Sequence, residues 1–485
     1  MTVVQLQFPS KPPADSPVIA APLPPQARAG IAEEALIREL DLRAPRYTSY
    51  PTADRFVEAF DARAYASWLD KRRLTNKAPL SIYVHVPFCA SLCYYCACNK
   101  IVTRDHGKAA IYLRYLEREL DLALSCLEPE REVSQMHWGG GSPTFLDGAE
   151  IARLMSMFRS RFSFVPGGDY SIEVDPRSTA LDTVDLLARA GMNRMSIGVQ
   201  DFDPDVQQAV HRIQPVQMTL DVVAAARGCG FRSINFDLIY GLPRQTVAGF
   251  ERTLDIVIAA RPDRIALYSY AHMPMRVKSQ RRIHEADLPS RSEKLAILAL
   301  AIERLGEAGY VYIGIDHFAL PEDDLAVAQR SGRLHRSFQG YTTQPDCDLL
   351  GLGVSAISRI GPTYSQSVRV LADYYDSIEQ RTLPTLRGIE LSKDDLVRRT
   401  VIMALMCQGE VAIDSIESSH LIEFDQYFAT ELAGLAVFQK AGLLTVSEQW
   451  ISVTPKGRFF LRAICATFDK YLRADKARAA YSKVI

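Results

Sequence analysis

From about residue 80 onward, short apolar runs alternate with longer amphipathic stretches, six times over. The runs at 81–86, 134–138, 170–174, 194–198, 233–239 and 264–268 have strand length and strand composition. The stretches between them predict helices at about 108–126, 148–162, 180–190, 217–229 and 246–260. A strand joined to the next strand through a helix runs parallel to it, with a right-handed crossover. The chain is therefore committed to an α/β architecture built on a parallel sheet. Periodicity leaves two arrangements open, a doubly wound sheet and part of a β/α barrel.

Polar residues collect where the strands end. A cysteine loop follows the first strand, and Gly139-Gly140-Gly141-Ser142 follows the second. Glu173 and Asp175 end the third; Gln200 and Asp201 follow the fourth. Asp237 lies in the fifth, just ahead of Tyr240-Gly241-Leu242-Pro243, and His272 follows the sixth. Both β/α arrangements place their sites at the carboxyl ends of strands.

The cysteine loop carries the sharpest chemical signal. Cys89, Cys93 and Cys96 are spaced C-x3-C-x2-C, with Cys98 two residues on. Three thiolates can hold three irons of a [4Fe–4S] cube and leave the fourth iron open to a ligand. Zinc is the rival, but structural zinc wants four ligands, usually as two separated pairs, and no second pair follows. The total of nine cysteines is odd, and the other five are scattered, which is not a disulfide framework. They read as small buried apolar residues in a reducing cytoplasm.

Other candidates have plainer readings beside the functional ones. The glycine loop is either a tight turn or a place where backbone polar groups approach a ligand. Glu173 and Asp175 are a solvated strand end or partners for hydroxyl and ammonium groups. Arg212 is a surface residue or a bidentate carboxylate clamp. His85 and His137, both in strands, read as packing or orienting residues. Arg276, Lys278, Arg281 and Arg282 form a basic run, either a solvated face or a site for a polyanionic small molecule.

The 485 residues exceed one ordinary domain. Residues 1–30, rich in Pro and Ala, read as a flexible tail, and helical patterning begins near Ile31. Residues 31–79 form an N-terminal extension expected near the active site, 80–374 the β/α domain, and 375–485 a mainly helical, winged-helix-like domain. In the last, 441–455 reads as a strand, a turn and a strand. A formal charge of -1 offers no global attraction for nucleic acid. No secretory signal and no apolar run of about 18 residues is seen, so a cytoplasmic protein with no membrane span is expected.

At these residues the chain resembles the radical S-adenosylmethionine (SAM) enzymes, and among them the oxygen-independent coproporphyrinogen III oxidases. The resemblance runs from about Tyr47 to the C-terminus. It is carried by 47–53 (Tyr-Thr-Ser-Tyr-Pro-Thr-Ala), the cysteine block ending in Cys98-Asn99-Lys100, 137–144, 171–177, 198–202, 237–243, 270–272, 339–343 and 353–358. It implies an incomplete (β/α)6 radical SAM barrel with an N-terminal extension and a mainly helical C-terminal domain. It implies that Cys89, Cys93 and Cys96 ligate the cluster while Cys98 stands outside the ligand set. Tyr83, Gly140, Glu173 and Ile357 match contacts to one SAM. Tyr95, Gly141, Ser142, Gln200, Arg212, Asp237 and Ala271 match contacts to a second.

The implied reaction converts two propionates of coproporphyrinogen III to vinyls through a 5′-deoxyadenosyl radical, in haem biosynthesis. The resemblance further implies a monomer, a reduced flavodoxin or ferredoxin-type electron donor and a separate electron acceptor. Departures are small: Tyr95 where relatives often have Phe, Ala97 for Gly, Ser142 for Thr. A haem chaperone of the same fold is the main alternative, but such relatives typically carry Phe at the position of Cys98. Another porphyrin-directed radical enzyme, such as a haem-degrading one, fits the 47–53 and 339–343 motifs less well. A nucleic-acid binder acting through the C-terminal wing lacks a basic recognition stripe.

Overall fold

The computed structural model describes residues 44–75, 78–128, 131–344 and 347–474. The tail expected over 1–30 and the helical patterning expected from Ile31 lie outside the described residues. Six strands alternate with six helices: β1 (Leu80–Val86), α1 (His106–Ser125), β2 (Glu132–Gly140), α2 (Gly148–Arg159), β3 (Ser163–Val174), α3 (Leu181–Arg189), β4 (Arg194–Gln200), α4 (Val216–Gly228), β5 (Ser233–Tyr240), α5 (Val247–Ala260), β6 (Arg264–Ser269) and α6 (Arg291–Glu307). There follow β7 (Val311–Gly314), β8 (His317–Ala319), β9 (Leu349–Leu352), β10 (Ile357–Ile360), β11 (Thr363–Ser367) and β12 (Thr385–Glu390). All twelve strands form one sheet, in the order β12-β11-β10-β9-β1-β2-β3-β4-β5-β6-β8-β7.

This order decides between the two arrangements left open. Strands β1 to β6 are parallel and lie side by side in chain order. Every crossover steps the same way, so the helices fall on one face and the sheet curls away from them. A doubly wound sheet reverses its strand order at a switch point, and no reversal occurs within this run. The register is sheared, as in barrels. Glu173 pairs with Ser196, Ser196 with Asn235, and Asn235 with Arg264; one row on, Gly198, Asp237, Ala266 and His317 lie side by side. The sheet ends at β12 and β7 rather than closing, so the barrel is incomplete.

Alternation along each strand sorts the side chains. Ile82, Val84, Trp138, Ile172, Ile197, Phe236 and Leu267 face the helices and are at most 1 % exposed. They form the main core with residues such as Leu113, Leu154, Val222 and Leu254. Residues of the opposite parity face the inside of the curl, and many are polar.

The helix Lys393–Gln408 opens the C-terminal region, closed off by a capping box at Ser392 and Asp395 and by left-handed Gly409 (φ 73°). A three-stranded sheet, Glu410–Ala412, Trp450–Val453 and Leu444–Val446, supplies the wing read from the sequence. Tyr47 and Tyr50 are buried in this second core, and the Tyr47 hydroxyl donates to Asp469 at 3.1 Å. Among the described residues no helix is long and apolar enough to cross a membrane.

Candidate active site

The curl encloses a cavity of about 390 Å³, rimmed by the cysteine loop. Cys89, Cys93 and Cys96 line it, together with Tyr95, Gly140, Gly141, Ser142, Glu173, Gln200, Arg212 and Asp237. Tyr83, Ala271 and Ile357 do not line it. Tyr83 stands behind His137, with ring centroids 5.9 Å apart. The Ala271 carbonyl accepts from Gln280 Nε2 at 3.1 Å, and Ile357 packs with Phe56 and Tyr364.

The cysteine loop leaves β1 through a two-residue strand, Phe88–Cys89, that pairs with Ile101–Val102. Cys93 is buried, Cys89 and Cys96 half-buried and Cys98 exposed. Burial and the neighbouring thiols push the Cys89 thiol up to about 12. A hydrogen bond from Cys98, aided by Lys100, pulls Cys96 down to about 6. Among the described residues, the one group of three metal-binding side chains within 4.8 Å of one another is His106, Asp147 and Glu150. The three cysteine sulfurs are therefore not all within 4.8 Å of one another, whereas ligands around one tetrahedral zinc with ~2.3 Å bonds lie roughly 3.8 Å apart. Three thiol donors carried on one loop at the cavity rim are the donor chemistry of an iron–sulfur cluster.

The glycine loop is shaped by what surrounds it. Gly140 has φ +122°, and a Cβ there would lie 2.9 Å from the His85 ring. A Cβ on Gly141 would lie 2.7 Å from the backbone of Pro87. Side chains are excluded, and the backbone faces the cavity. The Gly140 N–H donates to Glu173 Oε2 at 3.2 Å, and His137 Nε2 to Glu173 Oε1 at 3.3 Å. His85 Nε2 meets the Asn99 carbonyl at 2.9 Å, which fixes the proton there and leaves Nδ1 to accept from the Tyr83 hydroxyl at 3.1 Å. Both histidines thus orient the loop and the Glu173 carboxylate.

Arg212 and Asp175, read separately from the sequence, meet. Arg212 Nη1 and Nη2 donate to the two Asp175 oxygens at 3.3 and 3.2 Å, and Nη2 to Gly198 O at 2.6 Å. Arg177 holds the other side of the carboxylate, at 2.7 and 3.0 Å. Burial pushes Asp175 up, but the two guanidiniums outweigh it and hold it at about 2. Both arginines also reach the Cys93 sulfur, Arg177 at 3.2 Å and Arg212 at 3.6 Å. Arg212 Nε is buried with no hydrogen-bond partner, a donor awaiting an acceptor.

Asp237 accepts from Ser196 at 2.8 Å and from Asn235 at 2.9 Å, and burial pushes it up to about 7. Gln200 sits at φ +67° beside a register shift, a bulge that turns its side chain into the cavity.

The sequence reading passed over the rest of the lining. Gln135, Asp169, Ser171, Arg194, Ser196, Ser233, Asn235, Arg264 and Tyr268 all face inward. Their signal was a polar residue at every second position of β2 to β6, where a parallel sheet covered on both faces reads as continuously apolar. His317 also lines the cavity; burial pushes it down to about 4, and its Nδ1 donates to Ile315 O at 2.7 Å. By contrast Arg276, Lys278, Arg281 and Arg282 are exposed and contribute nothing to the cavity wall.

Comparison with known proteins agrees with this geometry. The Radical SAM superfamily profile matches residues 83–257, and the HemN C-terminal domain profile matches 391–460. An oxygen-independent coproporphyrinogen III oxidase of Pseudomonas aeruginosa is 49% identical over 457 residues, 93% of this chain and 98% of the relative. The chain belongs to the oxygen-independent coproporphyrinogen III oxidase family. A second member, from Escherichia coli, is 48% identical over 451 residues, again 93% of this chain and 98% of the relative. The solved coproporphyrinogen III oxidase of Escherichia coli, described as a radical SAM enzyme, superposes with a TM-score of 0.86 over 90% of this chain and 98% of that one. Membership of this oxidase family carries the radical SAM chemistry, and with it a [4Fe–4S] cluster and SAM.

Proposed function

We propose that the chain decarboxylates two propionates of coproporphyrinogen III to vinyl groups without oxygen, giving protoporphyrinogen IX. The observation that carries this is the opening of the three-cysteine loop, the glycine loop and the polar strand faces onto a single cavity. The names of the relatives support the substrate. When bound, the cluster and SAM supply a 5′-deoxyadenosyl radical that takes a hydrogen from the propionate β-carbon.

The chain's own residues hold and orient. Cys89, Cys93 and Cys96 are assigned to the cluster, and Arg177 and Arg212 donate to the Cys93 sulfur and hold it in position. Gly140 and Glu173 on the cavity wall, with Tyr83 and Ile357 outside it, are assigned to a first SAM, the Glu173 carboxylate as acceptor for its ammonium group. Tyr95, Gly141, Ser142, Gln200, Arg212, Asp237 and Ala271 are assigned to a second, whose carboxylate suits the free Arg212 Nε. At the cavity floor Arg194 is paired with Asp169 and Asp324, and Arg264 with Asp323, while Arg264 Nη2 is buried without a partner. That N–H is assigned to a substrate propionate.

A monomer working in the cytoplasm, reduced by a flavodoxin or ferredoxin-type donor, completes the reading. The proposed division is an N-terminal extension over 31–79, the β/α domain over 80–374 and the C-terminal domain over 375–485. The test is anaerobic assay of the reconstituted protein with reductant, SAM, coproporphyrinogen III and an electron acceptor. The reading requires 5′-deoxyadenosine and vinyl product together; a loaded cluster with neither product overturns it.

A further inference from the structure

The reaction proposed above consumes electrons singly, and they must cross the protein surface to reach the cysteine loop. Just outside that loop lies the basic run. Its backbone turn is clamped to the loop: Ser279 Oγ donates to Cys96 O at 3.2 Å, and buried Gln280 donates through Nε2 to Tyr95 O at 2.9 Å. Gln280 is 1 % exposed and also accepts from the Met273 N–H, so the turn cannot drift from the loop without breaking buried bonds.

The charges on the turn point outward. Lys278, Arg281 and Arg282 are exposed. Arg281 Nε donates to a backbone carbonyl, that of Pro274, at 3.0 Å. The Arg282 guanidinium lies 5.2 Å from the Tyr94 ring centroid, and Tyr94 stacks on His211 at 5.0 Å. Met275, at 87 % exposed, is the most exposed large apolar side chain among the described residues, and Ile213 next to Arg212 is 59 % exposed. An exposed methionine, an aromatic pair capped by Arg282 and further exposed cations on the same turn have the composition of a protein-docking surface. Along the chain the nearest acidic residues are exposed Glu285 and half-buried Asp287, the latter engaged by Arg244, against the four cations Arg276, Lys278, Arg281 and Arg282.

We propose that this face docks an acidic one-electron carrier protein, placing the carrier's redox centre against the Cys96 side of the cysteine loop. The inference rests on the proposed radical chemistry. Complementary charge sets the rate of encounter and its salt dependence, and a chain whose total charge is -1 needs such a local patch to steer an acidic partner. The run is not part of the cavity wall.

The test uses the holoenzyme and a triple charge reversal, Lys278→Glu, Arg281→Glu and Arg282→Glu, with reduced acidic flavodoxin as the probe. Turnover is measured with flavodoxin and with dithionite, at low and at physiological ionic strength, and flavodoxin binding is measured directly by calorimetry. The expected result is a rise of about tenfold or more in KM and Kd for flavodoxin and a flatter salt dependence. Dithionite-driven turnover and the KM for coproporphyrinogen III stay at wild-type values. Unchanged flavodoxin binding overturns the proposal. So does a raised substrate KM under dithionite, which would assign the run to recognition of the polyanionic substrate instead. If dithionite yields no 5′-deoxyadenosine in the wild type, the functional reading fails, while the binding arm still decides the docking face.

Discussion

Glu119 offers a test worked directly from the structure. It lies on α1, 3 % exposed, and accepts from the Gly353 N–H at 2.7 Å and the Tyr374 hydroxyl at 2.6 Å. It thereby pins the 353–356 turn behind β1, where Tyr112 also bonds the His85 carbonyl at 2.7 Å. Burial pushes the carboxyl from its ordinary 4.5 to about 7. A folded pKa above the unfolded one means the folded state holds the proton more tightly, so stability is fully present below about 4.5 and drains away as pH rises towards 7. The loss follows from about 1.4 kcal/mol per pH unit of separation: just under 1 kcal/mol at pH 5 and about 3 kcal/mol at pH 8. Glu119→Gln keeps an oxygen acceptor and cannot ionise. Urea unfolding of wild type and Glu119→Gln, followed at pH 5, 6, 7 and 8, should show the variant gaining about 2 kcal/mol on wild type across that interval. Parallel stability curves would refute the reasoning, because they would mean that Glu119 ionises freely where it sits.

Other substitutions probe the cavity. Gly141→Ala places a Cβ against the Pro87 backbone, which cannot yield cheaply; it should cost about 1–3 kcal/mol and most of the SAM affinity, checked by equilibrium dialysis, and unaltered affinity contradicts it. Asp237 is neutral below about 7 and anionic above, so SAM affinity measured by calorimetry should rise with pH through that point, and Asp237→Asn should abolish the inflection. Arg264→Gln should raise the KM for coproporphyrinogen III about tenfold or more with kcat little changed; an unchanged KM removes Arg264 from substrate recognition.

Most barrel elements were legible because their signals are local. The helices at Val216–Gly228 and Val247–Ala260 fall within one residue of expectation. β3 starts at Ser163 rather than at 170, because Pro166-Gly167-Gly168 reads as a turn; the sheet absorbs it at a register irregularity opposite Val133 and Gln135. Barrel against doubly wound sheet was not legible, since it depends on which edge of the sheet each crossover joins. The cysteines and the glycine loop declared themselves by spacing. The Arg212–Asp175 pair spans 37 residues and formed only through the fold. The basic run follows β6, but position after a strand gives proximity to the site, not the direction its side chains take.

The most direct measurement is anaerobic turnover of the reconstituted enzyme, with 5′-deoxyadenosine and porphyrin products separated by chromatography, for wild type and Cys93→Ser. The account predicts both products from wild type and neither from Cys93→Ser. Wild-type decarboxylation without 5′-deoxyadenosine, or both products surviving in Cys93→Ser, would contradict it.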